Sequence, residues 1–310
     1  VIFLNSFMRE MPVSFPGLFP GLEINIDPVA LHIGHGIYWY GIIIACGFLL
    51  AVLFCSRRAD RYGIEKDHLY DMLLIATPIS IVGARAYYVI FYLDLFRNAD
   101  GSIDWPSTIA IWDGGLAIYG GVIAAVLTVY FFCRWKKIKV GAMLDLGCMG
   151  LLIGQMIGRW GNFINREAFG AETTLPWRMR LWESADHFIE VHPTFFYESL
   201  WNLIGLLLIV LVVEKHRKFD GENFLFYLFW YGLGRAWIEG LRTDSLYLFD
   251  WTLLGAPIRV SQLLSVVLCV MAAVLLVYQL KFRRHDPSDL YVHQVKAAQS
   301  QEKGESSHGN

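Results

Sequence analysis

Charge is scarce in this chain. Of 310 residues only 17% are Asp, Glu, Lys or Arg, while 55% are hydrophobic and the mean hydropathy is +0.43. Soluble domains carry about a quarter charged residues, so a soluble globular protein is excluded and an integral membrane protein with several spans is expected. The net charge of -2 offers no basic footprint, and no nucleic-acid partner is expected. The five cysteines, Cys46, Cys55, Cys133, Cys148 and Cys269, contain no CxxC pair and lie in or beside apolar runs. No disulfide framework, metal site or catalytic thiol follows from them. The chain also lacks GxSxG, HExxH and a pair of aspartates on facing spans, which excludes the usual intramembrane proteases. No internal repeat stands out, which argues against a transporter. The opening VIFLNSFMREMPVSFPGLFPGLEINIDP is broken by proline and glycine and does not read as a cleavable signal.

What the chain has in quantity is apolar runs of bilayer length. About 20 residues cross a bilayer, and seven runs qualify: 38–55, 69–92, 116–133, 142–164, 194–213, 224–241 and 260–280. Basic clusters follow the odd-numbered runs: Arg57, Arg58, Arg61 and Lys66; Arg134, Lys136, Lys137 and Lys139; Lys215, Arg217 and Lys218; Lys281, Arg283 and Arg284. The positive-inside rule puts these in the cytoplasm, so the N-terminus is outside and the C-terminus inside. The opposite side is poorer in basic residues, with Arg9, Arg97, Arg166, Arg178, Arg180, Arg242 and Arg259 spread over longer segments. The expected fold is therefore an all-α membrane protein of about seven helices. Residues 1–37 form an external segment, 38–284 the membrane domain, 166–192 a small external cap, and 285–310 a disordered cytoplasmic tail.

Ionisable residues inside spans are costly and mark functional sites by default. "IGRWGNFINREAFG" places Arg159 and Asn162 three apart on one helix face, with Glu167 just beyond. Gly147, Gly150, Gly154 and Gly158 upstream make a small-residue packing face. Arg159 could merely snorkel to the headgroups, but it precedes Trp160 and Phe163 and comes with amides and an acid. "YGLGRAWIEGLR" sets Tyr231, Arg235 and Glu239 at i, i+4, i+8, with Arg242 seven beyond Arg235. A lone Arg–Glu pair would be structural; two arginines and a tyrosine on one stripe suggest an anion site. "HPTFFYES" carries His192 and Glu198, the histidine also readable as an interfacial residue. "WDGGLAIYGG" carries Asp113, which could be only a helix cap, and Tyr119. Tyr40 and Arg85 lie in other spans. Together these residues outline a polar cavity in one half of the bilayer. Two arginines from different helices suit a phosphate, which guanidinium meets bidentately, and the abundant membrane phosphates are on lipids.

The motifs "GRWGNFINREAFG", "WDGGLAIYGG", "HPTFFYES", "YGLGRAWIEGLR" and "DPVALH...WYG" resemble, in order, those of the prolipoprotein diacylglyceryl transferases, over about residues 27–284. The resemblance implies seven spans and a bacterial inner-membrane enzyme with its site towards the outer leaflet. It implies transfer of diacylglyceryl from phosphatidylglycerol to the lipobox cysteine thiol of a preprolipoprotein, forming a thioether and releasing glycerol 1-phosphate. No cofactor and no metal are expected; the nucleophile comes from the substrate. By the resemblance, Arg159, Arg235, Tyr119 and Glu239 are catalytic. Arg159, Arg235, Asn162, Tyr40 and Tyr231 hold the phosphatidylglycerol. Glu167, His192, Glu198, Arg242 and Arg85 support them. Some members have histidine, proposed as the base, where this chain has Tyr119. A tyrosine of reference pKa about 10 is a poor base at neutral pH, and His192 is the alternative.

Overall fold

The computed structural model describes residues 8, 10–33, 36–98, 100–243, 247–253 and 256–308. The side chains of Asp113, 247–253, 256–258 and 302–308 lie outside the description, as does Arg9. Asp113 as a helix cap is therefore outside the described residues.

Seven long helices fall on the seven apolar runs: α1 (Trp39–Arg58), α2 (Lys66–Phe91), α3 (Ile118–Trp135), α4 (Val140–Asn165), α5 (Thr194–Leu208), α6 (Glu222–Leu241) and α7 (Val260–Phe282). A π-turn at Ile209–Val213 extends α5. Six described helices are long and apolar enough to cross a membrane. The expected sixth span, α6, is not among those six. Its 20 residues suffice in length, but Glu222, Arg235 and Glu239 lower its hydropathy.

Two corrections follow. The fold is not all-α: β1 (Val13–Ser14), β2 (Glu23–Ile24), β5 (Met179–Ser184) and β6 (His187–Val191) form one antiparallel sheet in the order β2-β1-β5-β6. The β3 (Val29–Leu31) and β4 (Ile37–Tyr38) strands pair separately, as do β7 (Tyr247–Leu253) and β8 (Ala256–Arg259). The sheet was readable in principle, because Met179 and Leu181 alternate inward along β5. The N-terminal segment belongs to this same sheet, since Ser14 of β1 pairs with Arg180 of β5. The tail, expected to be disordered, instead forms α8 (Tyr291–His308). Its alanines, glutamines and lysines are good helix formers, and Leu290 and Val292 give it a buried foothold.

The chain divides into two compact units, Val1–Cys55 with Asp145–Asp286, and Ser56–Leu144 with Pro287–Asn310. In the second, α2 and α3 meet through Gly83 and Gly120, where an added Cβ would stand 2.4 Å from Ala124 and 2.3 Å from the Gly83 carbonyl oxygen respectively. The tail docks at Gly63, whose Cβ would lie 2.8 Å from Val292 Cα.

In the first unit, the glycines of α4 receive α1. A Cβ on Gly150 would meet Cys55 Sγ at 3.1 Å, and one on Gly158 would meet Ile44 at 3.2 Å, whereas Gly147 and Gly154 face no atom within 4 Å. Helices α5 and α6 are locked by a reciprocal tryptophan pair. The Trp201 and Trp230 rings stack at 4.4 Å. Trp201 Nε1 donates to the Trp230 carbonyl at 2.9 Å, and Trp230 Nε1 donates to the Trp201 carbonyl at 2.8 Å. Each indole lies over a glycine of the opposite helix: a Cβ on Gly205 would stand 2.5 Å from Trp230, and one on Gly234 2.2 Å from Trp201.

Gly234→Ala should therefore destabilise the detergent-solubilised protein by about 1–3 kcal/mol, the usual cost of overpacking. Gly147→Ala, with open space at its Cβ, should be neutral or stabilising by up to about 1 kcal/mol. Thermal unfolding of the two variants checks the contrast, and equal behaviour would mean that the tryptophan lock is not rigid.

A buried arginine cluster as the candidate site

Local structure at the end of α4 sets the first half of the site. The helix stops at Asn165 because Arg166 enters the left-handed region at φ 52°, and Ala168 follows at φ 58°. Two non-glycine residues held there are costly. Arg166 compensates by burial: its guanidinium donates to the carbonyls of Ile164 at 2.9 Å and Ile26 at 3.0 Å. Burial also holds its pKa below the ordinary arginine value, opposed by the charge of Asp27. The turn sends Glu167 back over the last helical turn. There Asn162 Nδ2 donates to Glu167 Oε1 at 2.8 Å and Asn165 Nδ2 at 3.3 Å. Asn162 Oδ1 in turn accepts from Arg159 Nη1 at 3.1 Å. Glu167, Asn162 and Arg159 thus form one chain of hydrogen bonds that aims the guanidinium.

The second half comes from α5 and α6. Glu198, only 5% exposed, lies one turn into α5 and receives three arginines from three segments. Arg159 Nη2 pairs with its Oε2. Arg235 Nη1 reaches its Oε1 at 3.0 Å, and Arg242 Nη1 approaches the same oxygen at 3.8 Å. Arg235 uses its other terminal nitrogen on Glu239 Oε2 at 2.5 Å, and Glu239 is 2% exposed. Arg259, at the end of β8, donates to the carbonyls of Glu239 and Arg242, the latter at 3.0 Å. It thereby closes the C-terminal end of α6, where a cation also suits the helix dipole.

A narrow cleft of about 10 Å³ lies beside this cluster, lined by Glu198, Trp201, Asn202, Tyr231, Gly234, Arg235 and Ile238. Tyr40 lies at the start of α1 with its ring on Gly161, where a Cβ would stand 2.3 Å from it. The 166–172 turn is tied to both α5 and α6. Gly170 N donates to the His192 carbonyl at 3.0 Å, and Ala171 N donates to the Leu241 carbonyl at 2.7 Å. His192 Nδ1 stands 3.2 Å from the Tyr197 hydroxyl, and burial lowers the histidine pKa below its usual 6.5.

The structure therefore brings Arg159, Asn162, Glu167, Glu198, Arg235, Glu239 and Arg242 into one bonded network. Tyr40, Tyr231 and His192 belong to the same compact unit. Arg85 and Tyr119 belong to the other unit. Arg85 is engaged by backbone: it donates to the carbonyls of Ser107 at 2.6 Å, Thr108 at 2.9 Å, Gly114 at 2.7 Å and Gly115 at 3.0 Å. It is a clamp on the loop that precedes Tyr119. Gly114 and Gly115 take φ of 86° and 71°, which suits glycine. The sequence reading gave no site role to Arg166, Arg259 or Asn202. The signal for Arg259 was an arginine directly before a span; for Arg166, a polar run ending a helix without a glycine.

The network holds three guanidiniums, of Arg159, Arg235 and Arg242, and three carboxylates, of Glu167, Glu198 and Glu239, so it is formally neutral. Its three guanidiniums are the groups that suit an oxyanion, which would share them with the carboxylates.

The model of the family described as prolipoprotein diacylglyceryl transferase matches residues 28–278. The chain belongs to the prolipoprotein diacylglyceryl transferase family. A phosphatidylglycerol–prolipoprotein diacylglyceryl transferase of Lactiplantibacillus plantarum is 42% identical over 273 residues, covering 85% of this chain and 92% of its own. The protein of the same name from Listeria welshimeri is 44% identical over 262 residues, covering 82% and 90%. That of Finegoldia magna is 44% identical over 260 residues, covering 84% and 97%. Membership makes the chain a transferase, and its apolar helices make it a multi-pass membrane protein.

Glu198→Gln keeps the shape and removes the charge that three arginines share. The expected result is a loss of about 3 kcal/mol in stability, the order seen when one partner of a buried pair is removed. The exposed Glu183→Gln should change stability by at most about 0.5 kcal/mol. Thermal unfolding of both in the same detergent decides it.

Proposed function

We propose that this transferase moves the diacylglyceryl group of phosphatidylglycerol to the lipobox cysteine thiol of a preprolipoprotein, in a bacterial inner membrane. In this reading α6 also crosses the bilayer, which makes seven spans, the N-terminus and the β-sheet lie outside, and the C-terminus lies in the cytoplasm. The basic clusters after alternate spans support that orientation. The observation that carries the reading is the convergence of Arg159, Arg235 and Arg242 on the single carboxylate of Glu198.

The chemistry follows from that cluster. The thiolate of the substrate cysteine attacks the terminal sp3 carbon of the diacylglycerol unit. A C–S bond forms, the C–O bond to phosphate breaks, and glycerol 1-phosphate leaves with the bonding pair. Negative charge builds on the departing phosphate oxygen. Arg159 and Arg235 stabilise it, since fixed donors in a water-poor site act most strongly where charge develops. Glu198 and Glu239 are positioning residues that hold the guanidiniums in place before substrate arrives. Asn162 and Glu167 aim Arg159, while Tyr40 and Tyr231 flank the headgroup and Arg242 adds charge. The fixed guanidiniums hold the leaving oxygen in line with the carbon and the attacking thiol.

The thiol proton needs an acceptor. Tyr119 orients a substrate through its hydroxyl without taking the proton, and Arg85 holds the loop before it. His192 is the alternative acceptor, with its Nδ1 3.2 Å from the Tyr197 hydroxyl.

The test is thioether formation on a lipobox peptide in vesicles containing phosphatidylglycerol. Arg159→Ala should abolish turnover while the protein still inserts. Arg235→Lys should be nearly as damaging as Arg235→Ala, because lysine keeps the charge but loses the planar fork. Substantial activity in the lysine variant would replace bidentate phosphate binding with simple charge neutralisation.

Tyr119→Phe should slow the same reaction by about tenfold or less, the scale of one neutral hydrogen bond of about 1 kcal/mol. A loss of about a thousandfold, roughly 4 kcal/mol of barrier, in a folded variant would make the phenol a direct participant in proton transfer.

A further inference from the structure

The β1–β2 hairpin takes no part in the arginine cluster, yet it carries an unusual surface. Residues 11–22, MPVSFPGLFPGL, contain no charged side chain. At the tip Leu18, Phe19 and Leu22 are 50%, 56% and 52% exposed. The tip is not loose. Leu18 N and Phe19 N both donate to the Phe15 carbonyl, at 3.0 and 2.9 Å, and Leu22 N donates to the Phe19 carbonyl at 3.2 Å. Pro16 and Pro20 have no N–H to satisfy. The loop thus meets much of its own backbone demand for hydrogen bonds, as a segment entering lipid must.

Strand direction says where the tip points. The β6 strand runs through Val191 directly into α5 at Thr194. Since β1 is antiparallel to β5, and β5 to β6, β1 runs the same way as β6, towards the helix ends. Local contacts agree. Phe15 stacks on Phe163, in the last turn of α4, at 6.3 Å. A Cβ on Gly17 would lie 2.1 Å from the Pro176 carbonyl oxygen. The next residue, Trp177, donates from its indole to the hydroxyl of Tyr197, in the first turn of α5, at 2.7 Å. Trp177 is itself 43% exposed. Tryptophan and tyrosine gather at membrane interfaces. The apolar tip therefore continues, at the level of two helix ends, the apolar belt that these membrane helices present.

We propose that the Phe15–Leu22 hairpin inserts Leu18 and Phe19 into the headgroup–acyl boundary of the bilayer that α4 and α5 enter, anchoring the sheet to the lipid surface. The occupant of this surface is lipid. An apolar segment of a substrate peptide is the competing occupant, and the test separates them.

The full-length protein would carry the photoreactive p-benzoylphenylalanine in place of Phe19, or of Leu18, in vesicles of phosphatidylcholine and phosphatidylglycerol. The control replaces Asp186, in the β5–β6 turn, which is exposed and about 17 Å along the strands from Met179. After irradiation, mass spectrometry should find lipid adducts at position 19 or 18 and none at 186, with or without an added lipobox peptide. Adducts to the peptide alone, no lipid adducts at either tip position, or equal lipid labelling at 186 would each overturn the proposal. Should one tip variant fail to fold, the other carries the result. The readout is independent of turnover, so failure of the transferase reading would leave it intact.

Discussion

A single carboxylate governs this site. Glu198 faces three arginines that come from α4, from within α6 and from the end of α6, so its position fixes theirs. Guanidiniums brought this close in a low-dielectric region would repel each other strongly; at effective dielectric about 20 a pair at 4 Å costs about 4 kcal/mol. The shared carboxylate turns that repulsion into a compact ion cluster. It leaves the arginines preorganised to share their donors with a phosphate. Everything that holds Glu198 still is thereby part of the site. The tryptophan lock lies one turn further along α5, at Trp201, and grips α6 beside Arg235 at Gly234.

The same logic explains why the 166–172 turn tolerates strain. Arg166 and Ala168 occupy positive φ without being glycine. That geometry returns Glu167 to Asn162 and places Gly170 and Ala171 where they bond to α5 and α6. A Cβ at Gly170 would collide with His192 Cβ at 2.7 Å, so the turn and the start of α5 fit only with glycine there. Strain at the turn is offset by the hydrogen bonds of Arg166 and by the cross-ties it makes available.

The helices were legible in the sequence because bilayer length and apolarity are strong signals. Each of the seven apolar runs coincides with a helix to within a few residues. The helical stripe of Tyr231, Arg235 and Glu239 was legible for the same reason of periodicity. The sheet was not read, because β1 and β2 are two residues each and β1 pairs with a strand about 165 residues away. Nor was the rank of Glu198 visible. Its partners lie on other helices, and spacing along one helix reveals only neighbours on that helix. Arg85 illustrates the converse. An arginine within a span looks like a ligand-binding group, but here backbone carbonyls take four of its five N–H groups, and sequence does not announce carbonyls.

The division of labour between the arginines follows from what each one touches. Arg85 spends its donors on loop carbonyls, Arg166 on a turn, and Arg259 on a helix end. All three are structural cations whose partners are dipoles. Arg159, Arg235 and Arg242 instead have carboxylates, and a carboxylate is itself a stand-in for the anion the cluster is suited to receive. Exchanging part of a carboxylate's share for a phosphate costs little reorganisation, because both present oxygen pairs to the same planar fork. Exchanging a carbonyl in the Arg85 clamp would release a loop. The arginines paired to acids are therefore the ones free to act on a substrate without unfolding their own surroundings.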